Sequence, residues 1–268
     1  MDHVIVFAAR QFLGFELCKQ LLDKGYEVTA IDHCEWQQTA HEEKWLSIGR
    51  NANLQYFEMG KQPELKVENT IAIIPIYDYF INENDKIIKK YLRHYGAFFQ
   101  NKKIEKICTL EPLHFFEKNY VEGKGAESIK IRQLLLDNEQ KRTHYYLPTI
   151  FGPWQPDSLL FQQIISQNKK KLADQVFLDH TDDAIFIETA IQSIITHMES
   201  NELVKEIVLT SDKNDVWRKH VQLLDEHFCL PKHFDTYPSV EAEKLRVTEH
   251  MSYAENLAKQ KIWWEKYS

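Results

Sequence analysis

The sequence contains little glycine and little proline, with only eight of each among its 268 residues. It also shows no internal repeat and no low-complexity segment. These absences exclude a collagen-like chain, and a content of 43% hydrophobic and 12% aromatic residues excludes a disordered one. A chain of this length can bury one large core. We therefore expect one globular unit.

Cysteine is also scarce, and its spacing carries no motif. The four cysteines, Cys18, Cys34, Cys108 and Cys229, are far apart and form no Cys-x-x-Cys pair. A disulfide framework and a zinc site are therefore not expected. The histidines show no metal-ligand spacing either, so the sequence predicts no metal centre.

Basic charge and long apolar runs are missing as well. The net charge is −7, and no basic stripe marks a nucleic-acid partner. No window approaches the 18 apolar residues that a membrane-spanning helix needs. The N-terminus lacks the basic start and apolar run of a signal peptide. We expect a cytoplasmic protein with no membrane partner.

What the sequence does show is an alternation of short apolar strands with longer helical patterns. The predicted strands are Val4–Phe7, Tyr26–Ile31, Leu54–Phe57, Ile71–Ile76, Ile104–Thr109, Tyr145–Ile150 and Glu206–Thr210. The predicted helices are Phe12–Lys24, Asp85–Phe99, Lys118–Asp137, Leu159–Gln167, Ile187–Met198, Val216–His227 and Tyr253–Tyr267. Strands separated by helices indicate an α/β fold with a doubly wound parallel sheet of the Rossmann type. We expect residues 1–155 to form this part and residues 156–268 to form a small C-terminal substrate lobe.

The first strand is followed by a short turn and then by a helix that begins at Phe12. Parallel sheets bind nucleotides at this place, because the helix N-terminus offers free N–H groups and a favourable dipole to phosphate. An acidic residue after the second strand can hold ribose hydroxyls. The candidate cofactor-binding residues are Ala8, Arg10, Gln11, Phe12, Leu13, Gly14 and Asp32.

The frame of this region resembles that of the extended short-chain dehydrogenase/reductases, the NAD-dependent epimerase/dehydratase superfamily. Such proteins commonly carry Gly-Ala-Thr-Gly-Phe-Ile-Gly after the first strand and an aspartate after the second. This chain reads Ala-Ala-Arg-Gln-Phe-Leu-Gly from Ala8 to Gly14, so the spacing is kept while two of three glycines are replaced. The resemblance implies NAD or NADP as cofactor, and Asp32 favours NAD because a carboxylate repels a 2′-phosphate.

Tyr120 and Lys124, followed by Gly-Ala-Glu, resemble the catalytic Tyr-x-x-x-Lys helix of the same family. A spacing of four places both side chains on one helical face, where the lysine can favour the phenolate. The resemblance implies that Tyr120 exchanges a proton with a substrate hydroxyl or carbonyl. It further implies that Lys124 holds the nicotinamide ribose and that Thr109 polarises the substrate oxygen. Three later segments also resemble parts of the family: Leu147–Pro153, Phe186–Ile191 and Ile262–Trp264.

Several alternatives stay open. The Gln11 side chain either swings aside from a phosphate or fills the space that a pyrophosphate needs. Arg10 either pairs with a phosphate or is solvated near the helix start. Thr109 is either a substrate contact or a buried strand-end residue. The loop from Pro75 to Tyr77 is bulkier than the small residues with which the family leaves room for its cofactor.

The expected function is an NAD(P)-dependent epimerase, dehydratase or reductase that acts on a hydroxyl- or carbonyl-bearing small molecule, with nucleotide sugars as one candidate class. The alternative is a non-catalytic binding or regulatory protein of the same fold that has lost dinucleotide binding. Relatives often dimerise through the helices that follow the fourth and fifth strands. In this chain those helices are predicted at Asp85–Phe99 and Lys118–Asp137, so a homodimer is open.

Overall fold

The computed structural model describes residues 3–33, 39–65, 68–82, 95–116, 141–166, 178–200, 205–228 and 242–267. The strands in these ranges are β1 (His3–Phe7), β2 (Glu27–Asp32), β3 (Leu54–Glu58), β4 (Thr70–Pro75), β5 (Ile104–Pro112), β6 (Lys141–Leu147), β7 (Thr149–Phe151), β8 (Ala184–Phe186), β9 (Glu206–Thr210) and β10 (Glu243–Arg246). The helices are α1 (Phe12–Asp23), α2 (Thr39–Leu46), α3 (Ile76–Ile81), α4 (Leu160–Ile165), α5 (Ile187–Glu199), α6 (Val216–Leu224) and α7 (Tyr253–Tyr267).

Eight strands form one sheet in the order β10-β9-β6-β5-β4-β1-β2-β3, and each neighbouring pair runs parallel. All five residues of the central strand β1 are buried. Such strands read as unbroken apolar runs because helices cover both faces of the sheet. The strand order changes direction between β1 and β4, which makes their carboxyl ends the switch point where ligands bind. The predicted doubly wound Rossmann-type fold is confirmed.

The strand predicted at Tyr145–Ile150 was wrong as a single element. The structure divides it into β6, which ends at Leu147, and β7, which begins at Thr149. Pro148 lies between them, and proline cannot donate a ladder hydrogen bond. The chain therefore leaves the large sheet there, and β7 pairs with β8 in a separate two-stranded parallel sheet.

The strand predicted at Ile71–Ile76 also ends early. β4 stops at Pro75, and the next six residues form the short helix α3, all of them buried. A short apolar run does not distinguish a buried helix from a buried strand by periodicity. The bulky loop residue Tyr77 belongs to this helix, and its hydroxyl accepts a hydrogen bond from the N–H of Ile150 at 3.0 Å.

The C-terminal part adds to the large sheet and builds a second core. Strands β9 and β10 extend the sheet beyond β6, while α5 packs against α1. The second core surrounds β7 and β8 and contains Phe151, Leu160, Phe161, Ala184, Phe186, Val216, Trp217, Val221 and Leu257. The domain division after residue 155 stays a prediction.

Two predicted helices bear on the dimer. Only residues 95–99 of the helix Asp85–Phe99 are described, and these are helical. The helix Lys118–Asp137 lies outside the described residues. The homodimer through these helices therefore stays a prediction. Among the described helices, none has the length and apolar character that crossing a bilayer requires.

Candidate functional site

The turn between β1 and α1 keeps a tight shape despite its missing glycines. Ala8 adopts a left-handed conformation with φ of 52°, which costs a residue with a Cβ about 1 kcal/mol. The N–H of Gln11 donates to the carbonyl oxygen of Ala8 at 2.8 Å and closes the turn. A Cβ on Gly14 would lie 2.0 Å from the same carbonyl oxygen. The glycine that was kept is therefore the one that lets the helix approach the turn.

The N-terminus of α1 is capped by the carboxylate of Asp78 on α3. The N–H of Leu13 lies 3.0 Å from both carboxylate oxygens, and the N–H of Gly14 donates to Oδ2 at 2.9 Å. Asp78 is fully buried. Burial raises the pKa of its carboxyl group, and the two N–H groups oppose that rise. A helix N-terminus favours an anion through its free N–H groups and its dipole, and here the chain itself supplies that anion.

A buried lysine, Lys44 on α2, lies beside this cap. Its Nζ donates to the carbonyl oxygen of Gln11 at 2.6 Å and sits 4.7 Å from the ring centroid of Phe15. Burial lowers the pKa of Lys44. The nearby negative charge of Asp78 is the strongest of the effects that raise this pKa. A buried cation is expensive unless an opposite charge is near. Asp78 and Lys44 therefore stabilise each other's charged forms at this helix end.

The carboxylate of Asp32 also accepts hydrogen bonds from backbone N–H groups of this chain. Oδ2 accepts the N–H of Arg10 at 2.6 Å, and Oδ1 accepts the N–H of His33 at 2.7 Å. Asp32 is fully buried, and burial raises its pKa to about 6. The Arg10 guanidinium lies 4.2 Å from the ring centroid of Tyr56 and 5.5 Å from that of Trp45. Arg10 therefore stacks on aromatic rings, a use that neither sequence alternative for it included.

Gln11 occupies the N-cap position of α1, yet its side chain makes no capping bond. The side chain is 2% exposed and lines a cavity of about 350 Å³ between the start of α1 and α7. Its Oε1 lies 3.5 Å from Nδ2 of Asn82, and its Nε2 has no hydrogen-bond partner among the described residues. Phe12 lines the same cavity.

The predicted catalytic residues are only partly described. Thr109 is 1% exposed, and its hydroxyl donates to Oε1 of Glu111 at 2.5 Å and lies 2.8 Å from Nδ1 of His144. These contacts agree with the alternative in which Thr109 is a buried residue at the end of a strand. Tyr120 and Lys124 lie outside the described residues, so their catalytic roles stay predictions.

These contacts decide how well the residues fit a dinucleotide. A pyrophosphate would need the N–H groups at the start of α1, but those of Leu13 and Gly14 already bind the Asp78 carboxylate. The Asp32 carboxylate, which would hold ribose hydroxyls, is buried on two backbone N–H groups. The frame of the site is present, but its phosphate-binding atoms do not fit a dinucleotide while Asp78 is in place.

The sequence analysis did not identify two residues that make the main polar contacts at the start of α1, Asp78 and Lys44. Asp78 lies three residues beyond the end of β4, at the edge where a parallel sheet binds ligands. This position after a predicted strand is the feature of the sequence that could have identified Asp78 as a site residue. Lys44 had no such signal, because nothing in its neighbourhood links it to the start of α1. Among the described residues, no cluster of three metal-ligating side chains occurs.

Comparison by sequence gives no match for this chain. No protein-family model matches it, and no curated protein is detectably similar in sequence. The solved structures, in contrast, include many with the same fold.

Three of these structures illustrate the likeness. UDP-glucuronic acid 4-epimerase from Bacillus cereus, in complex with NAD, is 15% identical, covers 100% of this chain and 99% of its own, and has a TM-score of 0.68. The enzyme WbmH from Bordetella bronchiseptica, in complex with NAD⁺, is 12% identical over 100% of both chains, with a TM-score of 0.63. dTDP-glucose 4,6-dehydratase from Bacillus anthracis, in complex with NAD, is 10% identical over 99% and 97%, with a TM-score of 0.65. The chain therefore has the fold of the extended short-chain dehydrogenase/reductases, which include the epimerase and the dehydratase just described.

Proposed function

We propose that this protein binds a hydroxyl- or carbonyl-bearing small molecule on the scaffold of the NAD-dependent epimerases and dehydratases. The observation that carries this proposal is the likeness over 99–100% of both chains to an epimerase solved with NAD. That likeness includes the C-terminal part that forms the cavity beside α1. Since one fold hosts many functions, the proposal takes two forms that a binding measurement can separate.

In the first form the protein is an NAD(P)-dependent epimerase, dehydratase or reductase, and its substrate is a nucleotide sugar. The solved neighbours with bound nucleotide sugars support this form. Tyr120 would exchange a proton with the substrate, and Lys124 would lower its pKa by favouring the phenolate. For this form to hold, Asp78 must leave the start of α1 so that a phosphate can take its place.

In the second form the protein is a non-catalytic binding protein that has lost the dinucleotide. The specific observation in its favour is the buried Asp78 carboxylate on the N–H groups of Leu13 and Gly14. A phosphate brought to the same N–H groups would meet a negative charge. Tyr120→Phe would then have no effect on any ligand-dependent property of the protein.

Calorimetric titration with NAD⁺, NADH, NADP⁺ and NADPH tests the two forms on the natural protein and on Asp78→Ala. Micromolar binding by the natural protein supports the enzyme form, and loss of turnover in Tyr120→Phe would then confirm the acid/base role. No binding at millimolar ligand by the natural protein, with binding gained in Asp78→Ala, supports the second form. Asp23→Ala is the matched control, because Asp23 is an exposed carboxylate at the opposite end of α1.

A further inference from the structure

Three ionisable side chains with almost no exposed surface interact at the start of α1. Asp32 at the end of β2 and Asp78 on α3 are 0% exposed, and Lys44 on α2 is 2% exposed. The charge of Lys44 acts on both carboxylates, and that of Asp32 also acts on Asp78. Asp78 holds the N–H groups of Leu13 and Gly14. We call these three side chains, Asp32, Asp78 and Lys44, the buried cluster.

The buried cluster contains two acids and only one base. When all three groups are ionised, Lys44 compensates one carboxylate, and one negative charge stays without a buried counter-charge. Such a charge is costly away from water, so burial favours the protonated form of a carboxyl group. Burial raises the pKa of both Asp32 and Asp78 for this reason, and the opposing charges, Lys44 for both and the half-buried Arg10 for Asp32, do not cancel the rise. We therefore expect the buried cluster to take up a proton at a higher pH than exposed aspartates do.

Further ionisable groups face the buried cluster from α1 and α3. Burial raises the pKa of Glu16 on α1, but its salt bridge with Lys19 at 3.3 Å favours the carboxylate. The thiol of Cys18 and the phenols of Tyr77 and Tyr79 stay neutral, because burial raises the pKa of all three. These groups therefore do not neutralise the excess acid of the buried cluster.

Proton uptake by Asp78 would weaken its hold on α1. A carboxylate binds N–H groups about twice as strongly as a neutral acceptor does, and the positive end of the helix dipole adds to this preference for an anion. With Asp78 neutral and Lys44 charged, the start of α1 favours an anion from solution. Gln11 adds a donor at the same helix end, because its buried Nε2 has no hydrogen-bond partner among the described residues.

We propose that Asp78 is a proton-operated gate at the start of α1. Proton uptake by the buried cluster releases the Asp78 cap, and an external anion of the phosphate type then takes the N–H groups of Leu13 and Gly14. Anion binding at this helix end is thereby coupled to the uptake of a proton, so it strengthens as pH falls. The inference concerns the regulation of the edge where a dinucleotide would bind, and it rests on the proposed function. The rival is a fixed cap that stays ionised through the neutral range and serves stability alone.

The backbone amides of Leu13 and Gly14 report the gate in the natural protein without any ligand. We expect their NMR signals to shift together, with one midpoint, as the pH is lowered from about 8.5 to about 5.5. Lys44→Met should move this midpoint to higher pH, since the loss of a positive charge favours the neutral carboxyl group. Lys24→Met is the matched control, because the Lys24 side chain is 37% exposed at the opposite end of α1.

Sulfate is the anion probe, because it keeps the same charge over this pH interval. Its binding is followed at the amide signal of Gly14, so that sulfate bound elsewhere on the surface is not counted. We expect at least about tenfold tighter binding at about pH 5.5 than at about pH 8.5, since only molecules with a neutral Asp78 are competent to bind. Asp78→Asn, which carries a neutral side chain of the same shape, should lose most of this difference.

Three results would each overturn the inference: amide signals that do not shift with pH, a shift that is retained in Asp78→Asn, or sulfate that leaves the Gly14 amide unchanged at both pH values. The proposed function fails separately. Sulfate binding at about pH 5.5 without binding of any dinucleotide would keep the gate and remove the dinucleotide, and dinucleotide binding without the amide shift would do the reverse. Titrations that compare the natural protein with Asp78→Ala belong at about pH 8.5, where the gate is closed.

Discussion

The carboxylate of Asp78 lies 2.9 Å from the backbone nitrogen of Gly14, although 64 residues separate the two along the chain. They meet because β1 and β4 are neighbours in the sheet, so the elements that follow each strand share one edge. At that edge a dinucleotide would place its phosphates. This single contact therefore connects the sheet order to the question of cofactor binding.

The Asp78 cap should be measurable in stability. Asp78→Ala removes the hydrogen bonds to Leu13 and Gly14 and leaves the buried Lys44 without its nearby opposite charge, so we expect the free energy of unfolding to fall by about 3 kcal/mol or more. Asp78→Asn should cost less, because its amide oxygen can still accept both N–H groups. Urea unfolding measures the differences, with Asp23→Ala as the exposed control. A loss in Asp78→Ala no larger than that in Asp23→Ala would contradict the capping role.

The same variant should expose an anion site. With Asp78 replaced by alanine, the N–H groups at the start of α1 are free to bind a phosphate oxygen. We expect inorganic pyrophosphate at millimolar concentration to raise the midpoint of thermal unfolding of Asp78→Ala and to leave the natural protein unchanged. The reverse pattern, with the natural protein stabilised and the variant not, would show that Asp78 does not block the site.

Ala8 offers a test of the strained turn. Its φ of 52° is a conformation that glycine adopts without cost. Ala8→Gly should therefore raise the free energy of unfolding by up to about 1 kcal/mol. Ala9→Gly is the matched control, since Ala9 has no positive φ and should lose about 0.5–1 kcal/mol. Equal losses in both variants, measured by urea unfolding, would contradict the strain.

Gly14 is expected to tolerate no side chain. Its Cβ would lie 2.0 Å from the carbonyl oxygen of Ala8, which is backbone and cannot move aside. Gly14→Ala should cost about 3 kcal/mol or more. Gly96→Ala is the comparison, because a Cβ at Gly96 meets nothing within 4 Å. We expect Gly96→Ala to fold with nearly unchanged stability, and thermal unfolding of both variants checks the contrast.

His220 should make stability depend on pH. It is fully buried, its Nδ1 donates to the carbonyl of Val216 at 2.7 Å, and burial lowers its pKa to about 4. Between that value and the unfolded value of 6.5, the unfolded chain binds the extra proton, so stability falls as pH falls. From about pH 7 to about pH 5 the loss from this group is about 2 kcal/mol.

The variant His220→Phe isolates this contribution. Phenylalanine keeps an aromatic ring beside Phe151 and Phe161 but cannot be protonated. We expect the natural protein to lose about 2 kcal/mol more than His220→Phe over the same pH interval. Parallel pH profiles of the two proteins in urea unfolding would rule out His220 as the source. His227→Phe, at an exposed position, should leave the profile unchanged.

Much of the architecture followed from local pattern. Apolar runs such as that of β1 and the periodicity of α1 depend on neighbouring residues, so the alternation of strands and helices could be predicted together with the parallel sheet. The turn from Ala8 to Gly14 and the aspartate after β2 could be placed for the same reason. The break at Pro148 was missed because a proline between two apolar runs does not show which sheet each run joins.

Most of the strands and helices could be predicted from the sequence, and so could the edge of the sheet at which this fold binds nucleotides. Only the tertiary structure decided what occupies that place, because Asp78 and Lys44 reach the start of α1 through the strand order and not through any local pattern. The cavity beside α1 has the same origin, since Gln11 and Gln260 both line it although 249 positions separate them in the sequence. Periodicity reports which residues are buried, but the contacts between distant buried polar groups depend on how the elements pack.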